Sequence, residues 1–220
     1  MKPLQVYKNL LAYFGPQHWW PVSSGKGDKP FEICVGAILT QNTNWNNVEM
    51  ALKNLKKERL LTPGTMTKCP NQKLQRLIRP SGYFRQKAKK LKIFSKYICE
   101  NYQGDTKELL RGDMEKKRAE LLGIWGLGPE SVDSMLLYAG NKPIFMIDAY
   151  TVRLCHELGV RLKGYEDYRE YFQKRLPRRA RLLNEYHALI VAWGKLYRSS
   201  KKEAVNLIKK SHNSGKKKSD

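Results

Sequence analysis

The sequence contains no run approaching the ~18–20 apolar residues of a membrane span. Its opening stretch, MKPLQVYKNLLAYFG, is interrupted by Lys8 too early for the apolar core of a secretory signal. Cysteine is sparse: Cys34, Cys69, Cys99 and Cys155 stand 35, 30 and 56 residues apart, so no pair has the spacing of metal ligands. Without a secretory signal, two disulfides are a weak reading of the even count, and the chain is expected to be reduced and cytoplasmic. Alternating β-branched residues are nearly absent, and residues 144–147 form the one strand-like run. Acidic residues are few as well. Against 20 Asp+Glu stand 42 Lys+Arg in 220 residues, a net charge of +22. A hydrophobic content of 41%, with five Trp and twelve Tyr, excludes a disordered polybasic chain. A folded and very basic protein points to a polyanion, most simply nucleic acid.

What is present is helical periodicity. In residues 84–102, Ala88, Leu91, Phe94, Tyr97 and Ile98 make an apolar stripe, with Lys87, Lys89, Lys90, Lys92 and Lys96 off it. Residues 45–60 carry a similar stripe of Val48, Leu52 and Leu55. FEICVGAILTQ, residues 31–41, is apolar on nearly every side and reads as a helix buried inside the fold. Gly, Pro and Ser breaks cut the chain into roughly nine or ten helices with short loops. Residues 201–220 hold seven Lys and two acids, and from Ser211 the composition is that of a disordered basic tail. The stretch carries +5, so the remaining +17 belongs to the folded body.

Chemistry concentrates in Leu121–Asp148, LLGIWGLGPESVDSMLLYAGNKPIFMID. Gly126-Leu127-Gly128 is a small–hydrophobic–small turn, and Pro129 suits the first position of a new helix. Such a turn can lie against a phosphate, which N–H groups over Gly126, Leu127, Gly128 and Ser131 would bind. A plain helix–helix connection would need the same residues. The context adds more: the turn, the following helix and an apolar stretch ending in Asp148 resemble the helix-hairpin-helix DNA glycosylases of the endonuclease III branch. Eighteen residues separate Glu130 from Asp148, as the family separates its variable hairpin-helix position from its catalytic Asp. Asp148 is also well placed to cap the next helix. Family members that cut the strand carry a nucleophilic Lys at the position of Glu130. A carboxylate cannot form a Schiff base, so the resemblance implies a glycosylase without lyase activity. Glu130 equally suits a first-turn acid facing the helix dipole. No Cys follows Cys155, so the branch's iron–sulfur motif is missing, and the C-terminal helices are expected to be held by packing alone.

Three more strings narrow the resemblance to the bacterial 3-methyladenine DNA glycosylase type. They are Trp19-Trp20-Pro21, the run AILTQNTNW ending at Trp45, and RPSGYFRQKAK from Arg79 to Lys89. The resemblance implies that Gln41 wedges into the base stack and that Trp45 and one of Trp19 and Trp20 sandwich the flipped base. A base alkylated at a ring nitrogen is cationic, and each aromatic face attracts it by about 0.5–2 kcal/mol. Glu130 would add negative potential. Lys195, in HALIVAWGK, matches a Lys near the pocket in the alkyladenine branch.

The expected fold is all-α, two helical lobes of the endonuclease III-like glycosylase type. Residues 28–140 would form one, ending in the hairpin at about 123–131, and residues 1–27 with 141–210 the other. Residues 211–220 would be the tail, and DNA would cross between the lobes. The expected activity is monofunctional hydrolysis of alkylated purines, chiefly 3-methyladenine, from double-stranded DNA by a monomer. Asp148 would stabilise the oxocarbenium-like sugar. No iron–sulfur cluster or metal is required, although hairpin carbonyls could hold a structural monovalent cation. A non-catalytic hairpin protein, a glycosylase of another specificity and an RNA-binding protein are the alternatives.

Overall fold

The computed structural model describes residues 2–19 and 28–210; Trp20 and the tail at 211–220 lie outside the described residues. Helix α1 spans Pro3–Phe14. Then follow α2 (Lys29–Leu39), α3 (Trp45–Lys57), α4 (Pro63–Lys68) and α5 (Asn71–Leu77). A 3-10 turn at Arg79–Ser81 leads into α6 (Phe84–Tyr102). Next come α7 (Thr106–Leu109), α8 (Met114–Leu122) and α9 (Pro129–Ser134), which runs on as a π-helical turn over Met135–Ala139. The last four are α10 (Ala149–Glu157), α11 (Tyr165–Gln173), α12 (Ala180–Ser199) and α13 (Lys201–Lys209).

No strand occurs among the described residues. The strand-like run at 144–147 is buried but irregular, and no strand among the described residues is there to pair with it. Among the described residues the thirteen α-helices exceed the nine or ten read from the breaks. α4, α5 and α7 are only 6, 7 and 4 residues long, too short to show a periodic stripe. Local caps hold two of them: Thr62 accepts from the Thr65 N–H at 3.3 Å, and Asp105 from the Lys107 N–H at 2.8 Å. α12 and α13 divide at Ser200 (φ −144°, ψ 80°), with neither Gly nor Pro to signal it.

The chain forms two compact units, Trp20–Met146 and Met1–Trp19 with Ile147–Asp220. Residues 141–146, assigned from the sequence to the second lobe, thus belong with the first. In the Trp20–Met146 unit, α2 is the central helix, buried from Ile33 to Leu39. The Asp28 side chain caps its start, accepting from the Phe31 N–H at 2.9 Å. Phe31 lies parallel to Phe94 of α6 at 6.3 Å. Ala88, Leu91, Phe94 and Ile98 fill the core as the stripe implies.

Lys87 departs from that pattern. It is 2% exposed, and its Nζ donates to the Leu39 carbonyl at 2.8 Å and the Ser81 carbonyl at 2.5 Å. A helix end leaves carbonyls without intrahelical partners, and here a lysine from α6 supplies the donors for α2. Burial, helped by the nearby Lys90, lowers its pKa to about 8.

Arg118 of α8 and Asp133 of α9 form a buried ion pair, Nε to Oδ1 2.6 Å and Nη2 to Oδ2 3.3 Å. This pair clips together the two helices flanking the Gly126–Gly128 turn.

In the other unit, Tyr186 of α12 is fully buried, edge-on to Tyr7 at 5.4 Å and to Phe172 at 6.0 Å. Packing alone does not hold the C-terminal helices. Trp193 Nε1 donates to the Ala204 carbonyl at 2.9 Å, and Asn9 Nδ2 to the carbonyls of Leu207 at 3.2 Å and Lys210 at 2.8 Å. All four cysteines are free thiols, and burial pushes Cys155 up to about 12.

The Arg118–Asp133 clip makes a test. Asp133→Ala, which removes the carboxylate facing a buried guanidinium, should cost about 3–5 kcal/mol in urea unfolding. The double change Arg118→Met with Asp133→Leu should recover most of that loss, because neither side then buries a charge.

Candidate functional site

In the Trp20–Met146 unit the site is built around the hairpin. α8 ends at Gly123, and Ile124 and Leu127 turn inward to the core. Leu127, read from the sequence as a phosphate contact, is 7% exposed, and its N–H is spent on the Ile124 carbonyl at 3.1 Å. It seals the turn. Gly128 stands as the N-cap of α9, which Pro129 opens, so the first-turn amides of α9 have no intrahelical acceptor.

Gly126 is required on two counts. Its φ is +89°, and a Cβ there would stand 2.6 Å from Cγ of Lys90. Gly128, the N-cap, has an ordinary φ of −104°, and its Cβ would meet nothing within 4 Å. The absent side chain there leaves an open approach rather than serving internal packing.

Gln41 lies in the turn after α2 and is engaged at both ends of its amide. Its Nε2 donates to Ser131 Oγ at 2.9 Å and toward the Gly126 carbonyl at 3.4 Å, while Oε1 accepts from Lys90 Nζ. Ser131 is itself buried. The residue expected to wedge into DNA is thus folded onto the hairpin, and insertion requires exchanging these bonds. Trp45 is half-buried as the first residue of α3, behind the Asn44 cap, which accepts from the Asn47 N–H at 3.1 Å. Glu130 sits exposed in the first turn of α9.

Asp148 belongs to the other unit. It caps α10 with an extended backbone (φ −127°, ψ −179°). Its Oδ1 accepts from the Thr151 N–H at 2.7 Å and the Thr151 hydroxyl at 2.8 Å. Its Oδ2 faces Nε2 of the buried His187 at 3.4 Å. Burial alone would push this carboxyl up. The charge and hydrogen bond of His187 and the two bonds from Thr151 outweigh it, leaving the pKa below the usual Asp value. The group therefore stays ionised although it is largely withdrawn from water.

Neighbouring contacts fix where α10 begins. The Tyr165 hydroxyl accepts from the Ile147 N–H at 3.3 Å, and Arg198 donates to the Tyr150 hydroxyl at 2.6 Å. The Tyr150 ring lies against Gly194 so closely that a Cβ would stand 2.1 Å from Cδ1.

Trp19 and Lys195 line one hollow of about 390 Å³, with Phe14, Ala188 and Ala192. α12 carries both this wall and His187, with His187 and Lys195 about 12 Å apart along the axis at 1.5 Å per residue. His187, Gly194 and Tyr150 received no role from the sequence. The signal for His187 was slight, a lone imidazole in an apolar helical run.

Residues 35–178 match the HhH-GPD superfamily of base excision DNA repair proteins. A provisionally named DNA repair glycosylase of Methanocaldococcus jannaschii is 47% identical over 191 residues, covering 85% of this chain and 84% of its own. Endonuclease III of Thermotoga maritima is 31% identical over 153 residues, covering 69% and 68%. Among solved structures, the H. pylori 3-methyladenine DNA glycosylase bound to 1,N6-ethenoadenine superposes with a TM-score of 0.77 at 27% identity, covering 89% of this chain and 98% of that one. The matched span takes in the loop of Gln41, the glycine hairpin, Glu130 and Asp148, and the chain belongs to the HhH-GPD superfamily of base excision DNA repair proteins.

Proposed function

We propose that the protein is a monofunctional DNA glycosylase, acting as a monomer, that hydrolyses the N-glycosidic bond of alkylated purines in duplex DNA, chiefly 3-methyladenine. One observation carries the reading: Asp148, largely withdrawn from water with its pKa held below the usual Asp value, in the unit whose Trp19-lined hollow offers an aromatic wall. Similarity to the H. pylori 3-methyladenine enzyme supports the substrate class.

The C1′–N bond to the cationic base breaks with its electron pair going to the base, which leaves neutral and needs no strong acid to protonate it. The sugar becomes oxocarbenium-like, and Asp148 stabilises that charge. A water adds to C1′, and its proton passes to the carboxylate. Thr151 and His187 hold both oxygens in place, so little reorganisation is left for the reaction itself. Glu130 provides no amine, which favours simple hydrolysis over strand cutting.

The test is incubation of the full chain with methylated duplex DNA, followed by chromatography of the released bases. 3-Methyladenine should dominate; no released base would overturn the reading. Asp148→Asn should slow release by about 10²–10³-fold under single-turnover conditions. Borohydride should trap no covalent protein–DNA adduct, and a trapped adduct would assign lyase activity instead.

The pH profile gives a further prediction. Because the Asp148 pKa is depressed, enzymatic release, after subtraction of spontaneous loss, should persist as pH falls into the usual carboxylate range and fail below it. His187→Gln removes an interaction that favours the charged form. Its acid limb should move toward neutral pH, with kcat lowered more than KM is raised.

A further inference from the structure

Between the inward-turned Ile124 and Leu127 stands Trp125, a large aromatic left 51% exposed on the hairpin. Its position beside Gly126 is a surface one, where core packing does not call for an indole. Lys89 of α6 places its Nζ 4.4 Å from the ring centroid. The next residue, Lys90, lays its stem along Gly126 and donates to Gln41. α6 thus presents two successive lysines to the turn. Across its 19 residues it carries six basic side chains against one acid, Glu100. An exposed ring bordered by an ammonium group is a poor match for an apolar protein surface. It is a good match for a nucleotide, which offers a flat or apolar face joined to a phosphate.

We propose that Trp125 and Lys89 form a DNA-backbone contact beside the Gly126–Gly128 turn, with the indole against the deoxyribose of a nucleotide and the ammonium shared with its phosphate. The contact reads neither sequence nor damage, so it holds the hairpin on intact duplex as firmly as on a lesion. It rests on the reading of duplex DNA as the partner but not on the chemistry assigned to Asp148.

The experiment is equilibrium binding of the full chain to an undamaged duplex and to a methylated one, by fluorescence anisotropy over a range of salt. Trp125→Ala should raise Kd five-fold or more for both duplexes, with the slope of log Kd against log salt unchanged. Trp125→Phe should regain most of the affinity. Lys89→Ala should reduce the slope by about one phosphate contact, or ~0.9. Thermal midpoints of all three should match the parent chain. Unchanged affinity in Trp125→Ala overturns the proposal, as does a loss that appears only with a lowered midpoint. The two readings fail separately: a chain that binds through Trp125 but releases no base refutes the glycosylase and leaves the contact standing.

Discussion

Keeping a carboxylate charged away from water is the physical problem around which one unit is organised. A desolvated Asp tends to take up a proton, and burial pushes the Asp148 carboxyl in that direction. Two donors from Thr151 and the His187 imidazole facing the other oxygen at 3.4 Å oppose this. Each depends on a helix being where it is. Thr151 requires α10 to start at Ala149, and His187 requires α12 to lie alongside. The aromatic cluster at Tyr186 and the bonds of Trp193 and Asn9 to α13 serve that placement, although none of them touches the acid. Through Trp193, α13 braces the helix that carries His187.

In the Trp20–Met146 unit the corresponding demand is a backbone turn kept open. Gly126 adopts a conformation that side chains resist, and the Lys90 stem fills the space where one would sit. The Arg118–Asp133 pair then fixes the angle at which the flanking helices enter and leave. Within the core, Lys87 performs a comparable service for α2 by satisfying carbonyls that a helix end leaves over. Both devices place charge inside a helical core, and both are tolerable because every buried charge finds oxygen or nitrogen partners.

Much of this was legible in the sequence, and the rest was illegible for definable reasons. The glycine turn and the stretch ending in Asp148 stood out because they match a family pattern, and the family match over residues 35–178 contains both. The long helices α2, α3 and α6 were readable from apolar stripes, whereas α4, α5 and α7 complete too few turns to repeat anything. Lys87 misled because periodicity assigns a lysine beside a stripe to solvent, and only the neighbouring carbonyls of Leu39 and Ser81 reverse that. Gln41 could be recognised by its string, but its attachment to Ser131 and Lys90 joins residues 90 and 49 positions away. His187 offered no partner spacing, since its counterpart lies 39 residues earlier in the chain.

Gly194 shows how narrow the tolerances are. Tyr150, two residues beyond Asp148, rests where a methyl group on Gly194 would have to be. The interval between α10 and α12 is therefore set by direct contact of a ring with bare backbone, with no side chain to compress or rotate. Neither helix can drift by the width of one carbon without the other following. Over descent, the two segments should accept changes only as a matched pair, so the acid's position is inherited as a fit between two surfaces rather than as one residue.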